Sequence, residues 1–216
     1  MSKDIAIYGA GGFGKEVACL IDRINSSASG DWHLVGFYDD CKPAGTPVSH
    51  MGRVLGGMDE LLAVSEPLAV AIAISDNRAV RRIRERITND CITFPSLIDP
   101  SLDLIDPTTF TCGEGNIIQL GCMVSCDVTL GNFNIINDHA VIGHDCHIGN
   151  FNGIMPTAHL SGGVTLGDNN LLGVASVILQ GMQIGDGVTL GANSVLMTRP
   201  RDNSTYLGVP AKKFDF

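Results

Sequence analysis

The second half of the chain repeats a hydrophobic position at every sixth residue. A helix repeats about every 3.6 residues and a strand about every 2, so neither element predicts this period. A hexapeptide repeat does predict it, because each six residues then form one short strand and a turn that stack into a parallel β-helix. Each aliphatic residue is expected to point into the prism. The twelve positions are Leu130, Ile136, Ile142, Ile148, Ile154, Leu160, Leu166, Leu172, Ile178, Ile184, Leu190 and Leu196.

The first part of the chain has a different pattern, which predicts a β-α-β unit. The apolar strand Ile5–Tyr8 leads into a glycine-rich segment, residues 9–14, that fits G-x-G-x-x-G. Apolar residues at helical spacing follow in Lys15–Ile24, and a second strand is predicted at Leu34–Tyr38. Glycines let a phosphate approach the backbone, and the N-terminus of a helix favours negative charge. The segment therefore predicts a nucleotide site, with a purely structural tight turn as the alternative.

The second strand ends at Asp39 and Asp40, which would bind ribose hydroxyls or base donors. A third strand, Leu68–Ile74, ends at Ser75, and its carboxyl end is expected beside the glycine loop. The remaining predictions for this part are a loop at Cys41–Gly57, a short helix at Met58–Val64, a helix at Arg78–Ile87 and a strand at Ile92–Phe94.

Pro95 and Pro100 mark a boundary between two domains. The predicted fold class is α/β followed by all-β: a small Rossmann-like domain over residues 1–97, then a β-helix with a C-terminal tail over residues 98–216. A complete dinucleotide fold needs two β-α-β halves. The first domain is too short for that, which favours a mononucleotide or nucleotide diphosphate over NAD.

Composition and charge narrow the class of protein. Of 216 residues, 17% are charged and 44% are hydrophobic, as in folded proteins. The net charge of −9 argues against a nucleic-acid-binding face. Seven cysteines without paired spacing predict a reducing, cytoplasmic environment. The first residues contain no apolar run long enough for a signal peptide or a membrane span.

Four segments together resemble the bacterial sugar O/N-acetyltransferases, a family that includes nucleotide-amino-sugar N-acetyltransferases and sialic acid O-acetyltransferases. The segments are 5–14, 37–40, 140–149 (AVIGHDCHIG) and 208–212 (GVPAK). The resemblance covers essentially the whole chain. It implies that the β-helix is left-handed, an exception to the right-handed crossover rule. It also implies a homotrimer with acetyl-CoA in the groove between neighbouring β-helices.

The repeat also places a candidate base. His144 follows the inward Ile142 by two positions, so it lies outside the prism. Acetyl transfer to an amine or hydroxyl needs a base near neutral pH, and histidine suits this role. Asp145 could orient the imidazole or raise its pKa. Three hexads make one coil, so Gly162 stacks on His144, where its N–H could bind the thioester oxygen. The resemblance implies the same roles for these three residues.

Other site residues rest on the resemblance. It implies that the backbone near Val174 and Ala192 contacts acetyl-CoA. It also implies that Asn137 contacts the substrate. Several relatives have a second histidine nine residues after the catalytic one, where this chain has Gly153. Ser75 stands where the family often has glycine. The implied nucleotide-sugar contacts are Gly11, Gly12, Phe13, Asp39, Asp40 and Ser75.

Two classes of function fit these observations. The first is an acetyl-CoA-dependent N-acetyltransferase that acts by direct transfer on the amino group of a UDP-, GDP- or dTDP-linked amino-deoxy sugar. O-acetylation of a sialic acid is the alternative within this class. The second class is a non-catalytic nucleotide-binding scaffold, which would have no use for His144, Asp145 and Gly162. A zinc site from His144, Cys146 and His147 is disfavoured because Cys146 points inward, so no metal is predicted.

Overall fold

The computed structural model describes residues 3–27 and 30–214 of the chain. The chain divides into two compact units, Met1–Pro100 and Ser101–Phe216. The roles assigned from the sequence to domains 1–97 and 98–216, nucleotide-sugar binding and acetyl transfer, stay predictions. None of the helices in the described part of the chain is long and apolar enough to cross a membrane.

The first unit is built on a parallel sheet with strand order β3-β2-β1-β4-β5. The central strand β1 and its neighbour β4 are apolar and largely buried, as expected for a sheet covered on both faces. The elements in chain order are β1 (Lys3–Tyr8), α1 (Gly12–Asn25), β2 (Trp32–Tyr38), β3 (Val54–Gly56), α2 (Met58–Leu62), β4 (Leu68–Ile72), α3 (Asn77–Arg86), β5 (Ile92–Thr93) and β6 (Leu97–Ile98).

The predicted loop Cys41–Gly57 is wrong at its end, because β3 pairs with β2 there. A strand of three residues is too short to show a period in the sequence. The glycine segment behaves as predicted in one respect: it connects β1 to α1 in a tight turn. A Cβ atom on Gly14 would lie 1.9 Å from the Gly9 carbonyl oxygen, so only glycine allows the helix to approach the strand this closely.

The second unit is a parallel β-helix with three faces, in which short strands stack in register. Face 1 includes β7 (Asp103–Leu104), β10 (Met123–Val124), β13 (Val141–Ile142), β16 (His159–Leu160), β19 (Val177–Ile178) and β22 (Val195–Leu196). Face 2 includes β8 (Phe110–Cys112), β11 (Val128–Leu130), β14 (His147–Ile148), β17 (Thr165–Leu166) and β20 (Gln183–Ile184). Face 3 includes β9 (Ile117–Ile118), β12 (Ile135–Ile136), β15 (Gly153–Ile154), β18 (Leu171–Leu172), β21 (Thr189–Leu190), β23 (Thr205–Leu207) and the antiparallel β24 (Lys212–Phe214).

The register confirms the hexapeptide repeat. Ile142 pairs with Leu160, and Leu160 pairs with Ile178, so one coil contains 18 residues. All twelve aliphatic positions of the repeat are at most 3% exposed and form the core of the prism. Each coil therefore buries its aliphatic residues against the coils above and below it.

Three corners join the faces, and the site residues lie on two of them. The first corner joins face 1 to face 2 and contains residues 143–146 with their equivalents in other coils. The second corner joins face 3 to face 1 and contains residues 137–140 with their equivalents. The third corner joins face 2 to face 3 and holds a column of fully buried asparagines one coil apart, Asn116, Asn134, Asn152 and Asn170.

Candidate active site

His144 and Asp145 form the turn of the first corner between β13 and β14. The His144 Nδ1 atom lies 2.7 Å from Asp145 Oδ2, and both side chains are exposed. Asp145 has a φ of 56°, which places its carboxylate back beside the preceding imidazole. A carboxylate only accepts hydrogen bonds, so Nδ1 donates the proton. The Nε2 atom of the neutral imidazole then carries the free lone pair and can accept a proton.

Gly162 lies one coil above His144 and is covered by its imidazole ring. A Cβ atom on Gly162 would lie 2.4 Å from His144 Nε2 and 2.5 Å from Cε1, so any larger residue would displace the ring. The N–H of Gly163 donates to the His144 carbonyl oxygen over 2.7 Å. The Gly162 N–H has no hydrogen-bond partner among residues 3–27 and 30–214. The structure thus brings together a free imidazole nitrogen and a free amide.

A strip of backbone without side chains continues along the first corner above Gly162. Gly181 stacks one coil further, donating its N–H to the Gly162 carbonyl oxygen over 2.9 Å, and a Cβ on Gly181 would meet open space. Leu179 and Met197 border this strip and are 39% and 46% exposed. The sequence analysis did not single out these two residues, although both stand one and two coils after Ser161 in the repeat.

Val174, Ala192 and Asn137 lie on the second corner, at the opposite edge of face 1 from His144. Val174 is 45% exposed, and the N–H groups of Val174 and Ala192 make no hydrogen bond within the described ranges. Asn137 Nδ2 lies 3.8 Å from Met155 Sδ, a weak acceptor. Within one chain, the structure therefore does not bring these predicted contacts to the imidazole.

The second histidine of several relatives has no polar counterpart at Gly153. This residue is buried in β15, and a Cβ there would lie 3.1 Å from Leu171 Cδ1 and 3.3 Å from Met155 Cε. Aliphatic groups occupy the space into which a side chain at this position would extend.

The glycine loop of the first unit presents an open helix N-terminus. Gly11 and Gly12 are exposed, and a Cβ on either would meet nothing within 4 Å. The helix α1 has no side-chain cap and no acidic residue in its first turn. Its first N–H groups lack intrahelical partners, and the helix dipole makes them attractive to an anion. Phe13 is half-buried in the same turn, and Ser75 is exposed after β4 at the same edge of the sheet.

Asp39 and Asp40 make more contacts within the chain than the sequence suggested. Asp39 Oδ2 accepts the Ala10 N–H over 2.8 Å, and its Oδ1 accepts the Cys41 N–H over 2.9 Å. Asp40 Oδ1 accepts the Met58 N–H over 2.8 Å. The acid pair therefore holds the glycine loop and the start of α2 in place. Its predicted contacts with a ribose or base stay predictions.

The environment of Asp40 also shifts two pKa values. Partial burial alone would raise the pKa of Asp40, but hydrogen bonds from the Met58 N–H and the Tyr8 hydroxyl, together with Arg86, lower it below its ordinary value. Arg86 Nη1 lies 3.4 Å from Asp40 Oδ2. Burial, followed by the Asp40 carboxylate, raises the pKa of the Tyr8 hydroxyl.

The cysteine and histidine residues near the first corner diverge. Cys146 is buried inside the prism, and this burial raises the pKa of its thiol, whereas His144 and His147 are exposed outside. Within the described part of the chain, no three His, Cys, Asp or Glu side chains gather in a way that could hold a metal ion.

Comparisons with known proteins agree with this architecture. Residues 4–88 match the family model described as the PglD N-terminal domain. The acetyltransferase domain of PglB from Neisseria gonorrhoeae FA1090, solved with acetyl coenzyme A, is 30% identical, with 99% of this chain and 100% of that one covered and a TM-score of 0.87. PerB from Caulobacter crescentus, solved with CoA and GDP-perosamine, is 27% identical, with 98% and 97% covered and a TM-score of 0.85.

A more distant neighbour is WeeI from Acinetobacter baumannii AYE, at 20% identity, with 99% of this chain and 100% of that one covered and a TM-score of 0.70, a likeness of fold alone. The comparison with curated proteins found no match.

Proposed function

Because the chain belongs to the family of hexapeptide-repeat sugar N-acetyltransferases with a PglD-type N-terminal domain, we propose that it acetylates the amino group of a nucleotide-linked amino sugar. The membership confirms the acetyltransferase class, the left-handed β-helix and acetyl-CoA as the donor expected from the sequence. The solved relatives contain acetyl-CoA in one case and CoA with GDP-perosamine in the other. The acceptor proposed here has the same chemistry: an amino-deoxy sugar on a nucleoside diphosphate.

One observation carries the proposal for the chemistry: the imidazole of His144 lies against the backbone of Gly162 while Asp145 holds its Nδ1. In this mechanism His144 Nε2 removes a proton from the substrate amine as the nitrogen attacks the thioester carbonyl carbon. The Asp145 carboxylate stabilises the imidazolium that forms. The imidazolium then returns a proton to the departing CoA sulfur as the carbon–sulfur bond breaks.

Gly162 supports the same step from the other side. As the amine attacks, negative charge develops on the carbonyl oxygen, and the partnerless Gly162 N–H is a suitable donor for it. The side-chain-free strip at Gly162 and Gly181 leaves room for the extended arm of acetyl-CoA. Leu179 and Met197 offer apolar contact along that arm.

The homotrimer is part of this proposal. The imidazole and the open amides of Val174 and Ala192 occupy opposite edges of face 1, so one donor molecule that contacts both corners fits between two chains. In such a contact the first corner of one copy faces the second corner of the next, a heterologous arrangement that can close as a ring. Light scattering should give three times the 22.8 kDa chain mass. A monomer at assay concentration would contradict a donor site built from two chains.

The cytoplasmic location is also proposed. All seven cysteines are free, as is usual in a reducing compartment.

The test of function is an acetylation screen of UDP-, GDP- and dTDP-linked amino sugars with acetyl-CoA, using wild type and His144→Ala. We expect acetylation of at least one amino sugar and a loss of about 10²- to 10⁴-fold in kcat for the variant. His147→Ala is a matched control, because this histidine is exposed on the neighbouring strand β14 and should leave kcat near wild type.

Two results would contradict the proposal. Near-full activity of His144→Ala would remove the general base. Acetylation of neuraminic acid hydroxyls, with none of the nucleotide amino sugars, would establish the O-acetyltransferase alternative.

A further inference from the structure

Lys42 places a positive charge at the glycine loop, although the sequence analysis did not single it out. The Asp39 Oδ1 atom accepts the Cys41 N–H, and the Lys42 N–H points to the Asp39 carbonyl oxygen over 3.5 Å, so the chain turns back directly after β2. This turn directs the Lys42 ammonium group to the Ala10 carbonyl oxygen, where it donates a hydrogen bond. The side chain is half-buried along this path.

Asp39 and Lys42 thus hold the same residue from two sides. Asp39 accepts the Ala10 N–H, and Lys42 donates to the Ala10 carbonyl. An ammonium group has three donors, and the contact with Ala10 uses one. The open N–H groups of Gly11 and Gly12 follow directly in the chain, at the positive end of the α1 dipole. A charged group and a helix N-terminus therefore lie next to each other at the mouth of this loop.

Other cations of the first unit are placed differently. Arg86 is paired with Asp40, and Arg81 is paired with Glu85 within α3. Arg84 lies over the Phe94 ring, with its guanidinium carbon 4.5 Å from the ring centroid. Lys15 is exposed on α1. Lys42 is the cation that hydrogen-bonds the glycine loop itself.

We propose that Lys42 binds the diphosphate of the acceptor and thereby makes the first unit select sugars carried on a nucleoside diphosphate. The identity of the acceptor rests on the proposed function. The two remaining ammonium donors can bind phosphate oxygens while the first holds the loop. A charge-assisted bond of this kind discriminates against free sugars and against sugars that lack the second phosphate.

The experiment measures binding of GDP, UDP and dTDP, and of the matching nucleosides, by calorimetry. The key variant is Lys42→Gln, because a glutamine amide can still donate to the Ala10 carbonyl while the charge is lost. We expect about tenfold or greater weakening of diphosphate binding, since a hydrogen bond to a charged group contributes about 1.5–3 kcal/mol. Nucleoside binding should change little, and the diphosphate affinity should depend less on salt.

Two further variants separate charge from structure. Lys42→Arg keeps the charge and should retain diphosphate binding within a few-fold of wild type. Lys15→Gln removes an exposed charge from α1 and should bind like wild type. Unchanged diphosphate affinity in Lys42→Gln would overturn the proposal. An equal loss for nucleosides and diphosphates would also overturn it, because that pattern indicates a distorted loop.

The same variants keep this inference separate from the proposed function. If wild type binds diphosphates through Lys42 but acetylates no nucleotide amino sugar, the function is wrong and the Lys42 site stands. If it acetylates one, and Lys42→Gln leaves the KM for that sugar unchanged, the function stands and the Lys42 assignment is wrong.

Discussion

The two units place their candidate site residues by different kinds of neighbour. In the β-helix, each residue contacts its equivalent one coil away, as His144 contacts Gly162. In the α/β unit, the contacts join positions with no repeating relation: Asp39 holds Ala10, and Asp40 pairs with Arg86. A repeating sequence thus determines its own three-dimensional neighbours, whereas an α/β sequence determines only which strand ends share an edge.

The difference predicts how each unit fails when one side chain is removed. The buried asparagine column couples successive coils, because each side-chain oxygen accepts two hydrogen bonds from the next asparagine. Asn134 Oδ1 accepts the Asn152 N–H over 2.9 Å and Asn152 Nδ2 over 3.0 Å. A change in such a column removes contacts on both sides of one coil.

The largest effect on stability is therefore expected for Asn134→Ala. Both donors of Asn152 would lose this acceptor in a fully buried position, which costs about 1–3 kcal/mol for each donor. We expect the free energy of unfolding to fall by about 2–6 kcal/mol, measured by denaturant titration. The control is Asn150→Ala in the neighbouring column at the same corner, where Asn150 is only half-buried and water can replace its bonds. Equal losses for both variants would show that burial does not set the cost.

Gly162→Ala tests the contact on which the proposed chemistry depends. The added methyl group would lie 2.4 Å from His144 Nε2, so the imidazole must move. A displacement of about 1 Å can cost on the order of 10²-fold in rate, and we expect kcat to fall by about that factor while KM for acetyl-CoA changes little. Steady-state kinetics with both substrates measure this split.

The β-helix offers a matched control in Gly121→Ala. Here too a Cβ would lie 2.4 Å from a histidine, the Nδ1 atom of His139, but on the second corner. The φ of +68° at Gly121 adds backbone strain, so stability should fall more than in Gly162→Ala. Its kcat should stay near wild type. A similar loss of kcat in both variants would mean that general loosening of the coils, and not the position of His144, lowers the rate.

The comparison also explains what the sequence could predict. A period of six gives the length of one coil, and this length alone places Gly162 on His144. The fold class and the enzyme class are confirmed. The asparagine column follows the same spacing of 18 residues and could have been found by the same count, but polar residues were not searched for a period.

The sequence predicted less of the α/β unit because its side chains are placed by contacts far apart in the chain. The acid pair was correctly expected near the glycine loop, since strand order brings these ends together. That Asp39 would bind Ala10, and that Lys42 would bind its other side, depends on a turn within a segment read as loop. The short strand β3 was missed in that same segment.

Asp39→Ala tests whether the first unit serves the acceptor alone. The change removes the hydrogen bond that holds the Ala10 N–H and loosens the glycine loop. We expect KM for the nucleotide sugar to rise about tenfold, which corresponds to about 1.4 kcal/mol, with KM for acetyl-CoA nearly unchanged. Asp90→Ala, an exposed carboxylate of the same unit, is the control. Parallel increases in both KM values would remove the separate role of the first unit.

The smallest effect is expected for Asp40→Asn, through the pH dependence of stability. The folded chain lowers the pKa of Asp40, so this carboxylate stabilises the native state above its ordinary unfolded pKa of about 4. The contribution is lost as the pH falls through the lower folded pKa. The side chain is 44% exposed, so solvent screening keeps the effect to about 1 kcal/mol or less. Denaturant titrations should show wild type more stable than Asp40→Asn at pH 7 and the two converging near pH 3, whereas a difference that grows on acidification would reverse the assigned direction of the shift.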